Sequence, residues 1–159
     1  MRFTSAMQPA LAAARTASVI QGTARLFSRL GFAVLREVPL ADGRRADLVC
    51  LGKRGEIAIV EVKSCARDFL ADGKWEDYRA WCDRLFFAVD AEFPKALLPE
   101  ESGLIVADAW GGAVLREAPA HPLAPARRRA LVLRIARLAA RRAEAAADPD
   151  GALESLAPE

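Results

Sequence analysis

The sequence holds one histidine, His121, in a proline-rich stretch, and three cysteines, Cys50, Cys65 and Cys82. A single histidine cannot complete a zinc site or a serine-type triad, so both chemistries are excluded. The cysteines are odd in number, match no metal-ligand spacing and sit in apolar sequence. They read as reduced, mostly buried thiols of a cytoplasmic protein. No apolar run approaches the roughly 20 residues that a membrane span needs, so no membrane partner is expected. Acids are missing from the start as well: none precedes Glu37. The opening MRFTSAMQPALAAARTASVIQG thus carries arginines alone, yet lacks the compact apolar block of a secretory signal. It reads as a flexible N-terminus over residues 1–9 leading into a helix, with Met7 as an alternative start.

What is present suffices for one domain. At 159 residues and 53% hydrophobic content, a single core over residues 10–147 is expected, with a loose tail over 148–159. The formal net charge is only +2, so affinity for nucleic acid must come from a local basic patch.

Periodicity orders the elements. Ala10 to Leu30 has helical spacing, with Ile20, Leu26 and Leu30 toward one side, and stops at Gly31. Strands follow over Phe32–Leu40, Ala46–Leu51 and Glu56–Lys63. Leu48 to Leu51 and Ile57 to Val60 are apolar at consecutive positions, so both faces of the sheet are covered by helices. A polar and aromatic helical stretch comes next, broken at Asp72 or Gly73. Then come a buried strand, LFFAVD, a short connection, and a hairpin turning at Gly111-Gly112. A long alanine- and arginine-rich helix runs from Pro125 to about Ala147.

Asp47, Glu61 and Lys63 do not suit this apolar hairpin. A three-residue turn, Lys53 to Gly55 with glycine at the position of positive φ, makes Gly52 face Glu56 and Asp47 face Glu61. Facing Cβ atoms lie about 4.5–5.5 Å apart. Glu61 and Lys63 are two apart on one strand and share a face. Two carboxylates this close repel, and a divalent cation removes the conflict. Mg²⁺ typically takes one or two carboxylates and keeps several waters, and Mn²⁺ is the natural substitute. With a lysine alongside, the set fits metal-assisted phosphodiester hydrolysis, with Asp47, Glu61 and Lys63 as catalytic residues. An exposed Glu-x-Lys is more commonly a surface ion pair, and it is the apolar setting that favours a site here.

Asp, a hairpin and Glu-x-Lys resemble the PD-(D/E)XK nuclease superfamily, as does the order helix, three strands, helix, strand. The blocks GRRADLVCLGKRGEIAIVEVKS, DFLADGKWEDYRAWCDRLFFAVD, FPKALLPEESGLIVADAWGG and LAPARRRAL resemble the MmcB family of bacterial DNA repair proteins, over about Thr23 to Arg142. The resemblance implies an α/β, restriction-endonuclease-like mixed β-sheet flanked by helices, with an added C-terminal hairpin and helix. It implies a DNA repair role, with DNA and other repair proteins as partners. The metal ligands would be Asp47, Glu61 and the Val62 carbonyl. Ala46 stands where the superfamily name has proline. Many active relatives also carry a glutamate on the first helix, which this chain lacks; Glu37 on the first strand is the available substitute.

Around the triplet, Arg44 and Arg45 would lie at the mouth of the site as phosphate contacts, or form a solvated turn. Lys74 and Tyr78 would reach over it, whereas Trp75, Tyr78 and Cys82 equally suit packing on the sheet. Asp68 and Asp72 read as outer ligands or helix caps. On the last helix, Arg134, Arg137 and Arg141 share a face that could follow a DNA backbone or simply be solvated. A Mg²⁺-dependent DNA endonuclease is therefore expected, against the alternative of an inactive nuclease-fold module that binds DNA or a repair partner.

Overall fold

The structure, a computed structural model, describes residues 7–154. It divides into two compact units between Leu123 and Ala124, a boundary inside the single domain expected over residues 10–147. The first unit contains α1 (Met7–Arg29), β1 (Ala33–Pro39), β2 (Arg45–Leu51), β3 (Ile57–Val62) and α2 (Ala66–Ala71). A 3₁₀ helix (Trp75–Trp81), β4 (Arg84–Val89), a 3₁₀ turn (Lys95–Leu97), β5 (Gly103–Ala107) and β6 (Gly112–Arg116) complete it. The second unit holds α3 (Pro125–Ala147) and α4 (Pro149–Glu154). Two expectations change at the ends. Met7 to Pro9 belong to α1, and Pro149–Glu154 is helical where a loose tail was expected. Residues 1–6 and 155–159, the rest of those two segments, lie outside the described residues.

The six strands form one sheet in sequence order, β1 to β6. The pairs β3–β4 and β4–β5 are parallel and the others antiparallel, so the sheet is mixed. Parallel neighbours need crossovers, and α2 with its 3₁₀ helix provides the one between β3 and β4. Every residue of β3 is buried, as its unbroken apolar run predicts. Asp83 seals its entry: the Ile57 and Leu123 amides donate to its two carboxylate oxygens at 2.8 and 2.9 Å.

Two apolar layers cover the sheet. On one face Val19, Ala24 and Phe27 of α1 meet Leu48, Cys50, Ala58, Val60, Val62, Phe86 and Ile105. On the other, Phe87, Val89 and Leu104 pack with Phe93 and Leu98, and with Phe69 and Trp75 from the crossover. The buried stripe of α1 is Val19, Thr23 and Phe27, at four-residue spacing. Ile20 and Leu26 are half-buried beside it, but Leu30 is 56% exposed, against expectation. The helix has ended there: Gly31, at φ +86°, turns the chain so that the Phe32 amide donates back to the Phe27 carbonyl.

The last hairpin also turns earlier than expected. Gly112 is already paired with Ala107 in the ladder, and Asp108 makes the turn by accepting from the Trp110 and Gly111 amides. That turn meets α1 at Gly22. A Cβ on Gly22 would lie 1.8 Å from the Asp108 carbonyl oxygen and 2.4 Å from that of Gly111. Gly22→Ala should therefore destabilise the protein by about 1–3 kcal/mol, despite the roughly 1 kcal/mol by which alanine favours a helix interior. Denaturant unfolding would show it, and a stabilised variant would contradict this packing.

Candidate active site

The β2–β3 hairpin has the three-residue turn that its sequence implies. Gly55 sits at φ +86°, and the Gly52 amide donates to the Glu56 carbonyl at 2.8 Å. The ladder runs from Leu51 opposite Ile57 to Leu48 opposite Val60. Continued by one rung, that register sets Asp47 opposite Glu61. At this rung side chains take over from the backbone. The Asp47 amide donates to Glu61 Oε1 at 3.2 Å, and the Val62 amide donates to Asp47 Oδ2 at 2.8 Å. Each carboxylate is held by the backbone of the opposite strand, so the two side chains converge where the strands part.

Strand parity sorts the faces. Leu48, Cys50, Val60 and Val62 lie under α1, so Asp47, Glu61 and Lys63 look to the other face, the one covered by the crossover. An acid on the buried stripe of α1 would thus lie across the sheet from the pair. Glu37 comes closer. It falls between the rungs Arg36–Leu48 and Val38–Ala46, level with Asp47, with a backbone at φ +50° that is rare outside glycine. Its carboxylate is exposed and lies 3.6 Å from Arg45.

Electrostatics follow from this crowding. Burial first, then the charge of Asp47, pushes Glu61 up to about 8. Burial likewise raises Asp47, against the opposing pull of the Val62 amide and Lys63. Without a counter-ion the pair therefore keeps a proton near neutrality. Lys63 supplies one positive charge, but its Nζ donates to Asp72 Oδ2 at 2.7 Å. Asp72 closes the C-terminus of α2, its amide donating to the Asp68 and Phe69 carbonyls. Burial opposes its ionisation, yet the hydrogen-bonded Lys63 ammonium holds it below the usual carboxylate range.

Asp72 caps α2, one of the two parts its sequence suggests, but its bond to Lys63 is not revealed there. It stands nine positions from Lys63, and only the end of α2 brings them together. The signal was the break at Asp72-Gly73 just past the lysine strand. Asp68 keeps to its own turn, accepting from Ser64 Oγ at 3.3 Å.

The expected DNA contacts separate into two sets. Arg45 and Lys74 are exposed. Arg44 is half-buried and ion-paired to Asp77, 3.6 Å from Asp42, with its guanidinium over the Tyr78 ring. Tyr78 is buried and donates its hydroxyl to the Arg45 carbonyl at 3.2 Å. This is a packing position in place of the exposed one a DNA contact needs. Burial, then Glu61, Asp47 and Asp72, push its phenol up, so it stays neutral beside the acids. Trp75 packs edge-on against Phe87. Cys50 and Cys82 are buried thiols with raised pKa, whereas Cys65, at the start of α2, is half-exposed.

The donor set is two carboxylates with the neighbouring Val62 backbone. Among the described residues no group of three or more His, Cys, Asp or Glu assembles around a common point. Hard oxygens, few in number, fit one Mg²⁺ or Mn²⁺ better than zinc or a closed calcium cage. A groove of about 960 Å³ between α1 and the β5–β6 hairpin, with Leu11, Arg15, Asp90 and Trp110 in its walls, contains none of these residues.

A mixed six-stranded sheet with helices on both faces and this charged hairpin end define an α/β protein compatible with the restriction-endonuclease-like fold. The chain belongs to the MmcB-like family of DNA repair proteins, whose model, "DNA repair protein MmcB-like", matches residues 5–150. It is similar to a solved protein of unknown function from Silicibacter pomeroyi, at 47% identity and TM-score 0.83, over 86% of this chain and 94% of that one. No curated protein matches. No described helix is long and apolar enough to cross a membrane.

Proposed function

We propose that the protein is a Mg²⁺-dependent DNA endonuclease acting in repair, with Asp47, Glu61 and Lys63 as its catalytic residues. The observation that carries this reading is the Asp47–Glu61 rung: a half-buried and a buried carboxylate, each held by the opposite backbone, with a lysine on the same face. Asp47, Glu61 and the Val62 carbonyl would hold the cation, which when bound polarises the phosphodiester and acidifies a coordinated water. The chain's own groups do the rest. Lys63 keeps a positive charge beside the acids and stabilises negative charge developing on the phosphate. Asp72 anchors that ammonium, and Tyr78 ties down the start of β2, so the rung is set before substrate arrives. Arg45 and Lys74, both exposed, are the phosphate contacts.

The test is cleavage of single-stranded, duplex and branched DNA by the full-length protein with Mg²⁺ or Mn²⁺. Wild type should cleave at least one substrate, stop on chelation, and lose activity roughly 10²–10³-fold as Asp47→Asn. The absence of a third acid at the rung favours a second reading, a catalytically weak module that binds DNA or a repair partner. That module would bind DNA equally well as Asp47→Asn and cleave nothing at any metal concentration.

A further inference from the structure

The exposed arginine row of α3 is not accounted for by the hairpin site. Seven arginines lie between Arg127 and Arg142, and no acid occurs between Glu117 and Glu144. The chain as a whole has only two more basic than acidic residues, so this is a strong local excess.

The placement of these charges is not the one that favours a helix by itself. Arg127, Arg128 and Arg129 stand in its first two turns, the positive end of the helix dipole, where acids are favoured. No acid stands three or four residues from Arg127, Arg128, Arg129, Arg134 or Arg137, so this stretch of the helix carries charge of one sign. Arg134 and Arg137 are three apart, and Arg137 and Arg141 four apart, which sets like charges side by side. A helix face shaped for solvation alone would mix signs.

The two faces of α3 have different fates. Leu131 and Ile135 are 2% and 7% exposed, so the apolar stripe is already covered. This argues against a helix that lies on a lipid surface, which needs that stripe free. Arg127, Arg134, Arg137 and Arg141 are all exposed, and the first, second and fourth recur every seven residues. At 1.5 Å per residue they span about 21 Å along the axis. Such a row matches a regular polyanion, and arginine forks suit phosphate oxygens.

We infer that the arginine face of α3 is a binding surface for the phosphate backbone of DNA, independent of base sequence. The inference rests on the reading that this protein acts on DNA, and it adds the surface that holds the strand. Binding would release counterions from DNA and relieve the mutual repulsion of the arginines.

The test uses full-length protein with Lys63→Ala as background, so that no substrate is consumed, and fluorescence anisotropy with a labelled DNA duplex over a salt series. Arg134→Ala, Arg137→Ala and Arg141→Ala together should raise the dissociation constant roughly tenfold or more. They should also make the slope of log affinity against log salt shallower by about 2.7, or 0.9 per lost contact. Alanine is the strongest helix former, so α3 should persist, as circular dichroism would verify. The triple lysine variant should keep the wild-type slope. An unchanged slope in the alanine variant overturns the inference. So does equal loss in the lysine variant, or a preference for anionic vesicles over DNA. Cleavage is scored separately in wild type: a shallower slope with no cleavage sinks the nuclease reading alone, and cleavage with an unchanged slope sinks this one alone.

Discussion

Replacing Lys63 by alanine should lower DNA cleavage by about 10²–10³-fold in single-turnover assays and cost about 1–3 kcal/mol of folding stability. The kinetic size is that of a group that stabilises transition-state charge. The stability cost follows from the setting of the pair. The Lys63 and Asp72 side chains are only 11% and 25% exposed, so removing the ammonium leaves the Asp72 carboxylate poorly solvated and without its partner. Asp72→Asn should be milder, about tenfold in rate, because asparagine can still accept from the ammonium while giving up its charge. A Lys63→Ala protein that cleaves like wild type would remove Lys63 from the mechanism. One that unfolds would show its role to be structural.

Glu61→Gln should have the largest effect on stability, and the effect should depend on pH. Burial and the Asp47 charge raise Glu61 to about 8, so the folded protein holds this proton more tightly than the unfolded chain does. The resulting stabilisation is fully present below the ordinary glutamate range and is lost as pH rises through about 8. Asp47, also raised, acts in the same direction. Asp72, lowered, acts oppositely: its contribution is present above the ordinary aspartate range and fades only as pH falls below it. In chelator the wild type should therefore lose on the order of 2 kcal/mol between about pH 5.5 and pH 8.5. Glu61→Gln, which keeps an acceptor for the Asp47 amide, should flatten that slope and melt higher than wild type at the alkaline end. Added Mg²⁺ or Mn²⁺ should stabilise the wild type there and leave the variant unmoved. If both proteins titrate alike, Glu61 is not the proton-holding group. Should Glu61→Gln prove more stable yet inactive, the rung is a place where stability has been given up for function.

Much of the site is legible because it is local. Gly55 supplies the positive φ of a three-residue turn, turn length sets register, and register with period-2 parity brings Asp47, Glu61 and Lys63 to one face. Contacts across long separations are not. Arg44 reads as a surface residue near the acids, yet it meets Asp77 across 33 positions, and for Tyr78, whose letters suit reach or packing equally, the Arg45 carbonyl decides for packing. Leu30 fits a helical stripe by spacing but lies beyond the last turn. The glycines alone point to a β5–β6 turn at Gly111-Gly112, whereas the Asp108 carboxylate, accepting two amides, sets it earlier.

From sequence alone came the order of the elements, the covered sheet, the hairpin register and the facing acids, since each depends on residues a few positions apart in the chain. Tertiary structure alone decided which face of the sheet α1 occupies and which acid meets Lys63. Both depend on how a crossover between parallel strands β3 and β4 lays α2 over the sheet, and that path is chosen by packing among Phe69, Trp75 and Phe87. The acid-free first helix, a gap when read as letters, lies under the opposite face from the acid pair. The carboxylate that meets Lys63 is Asp72, carried there on the end of a different helix.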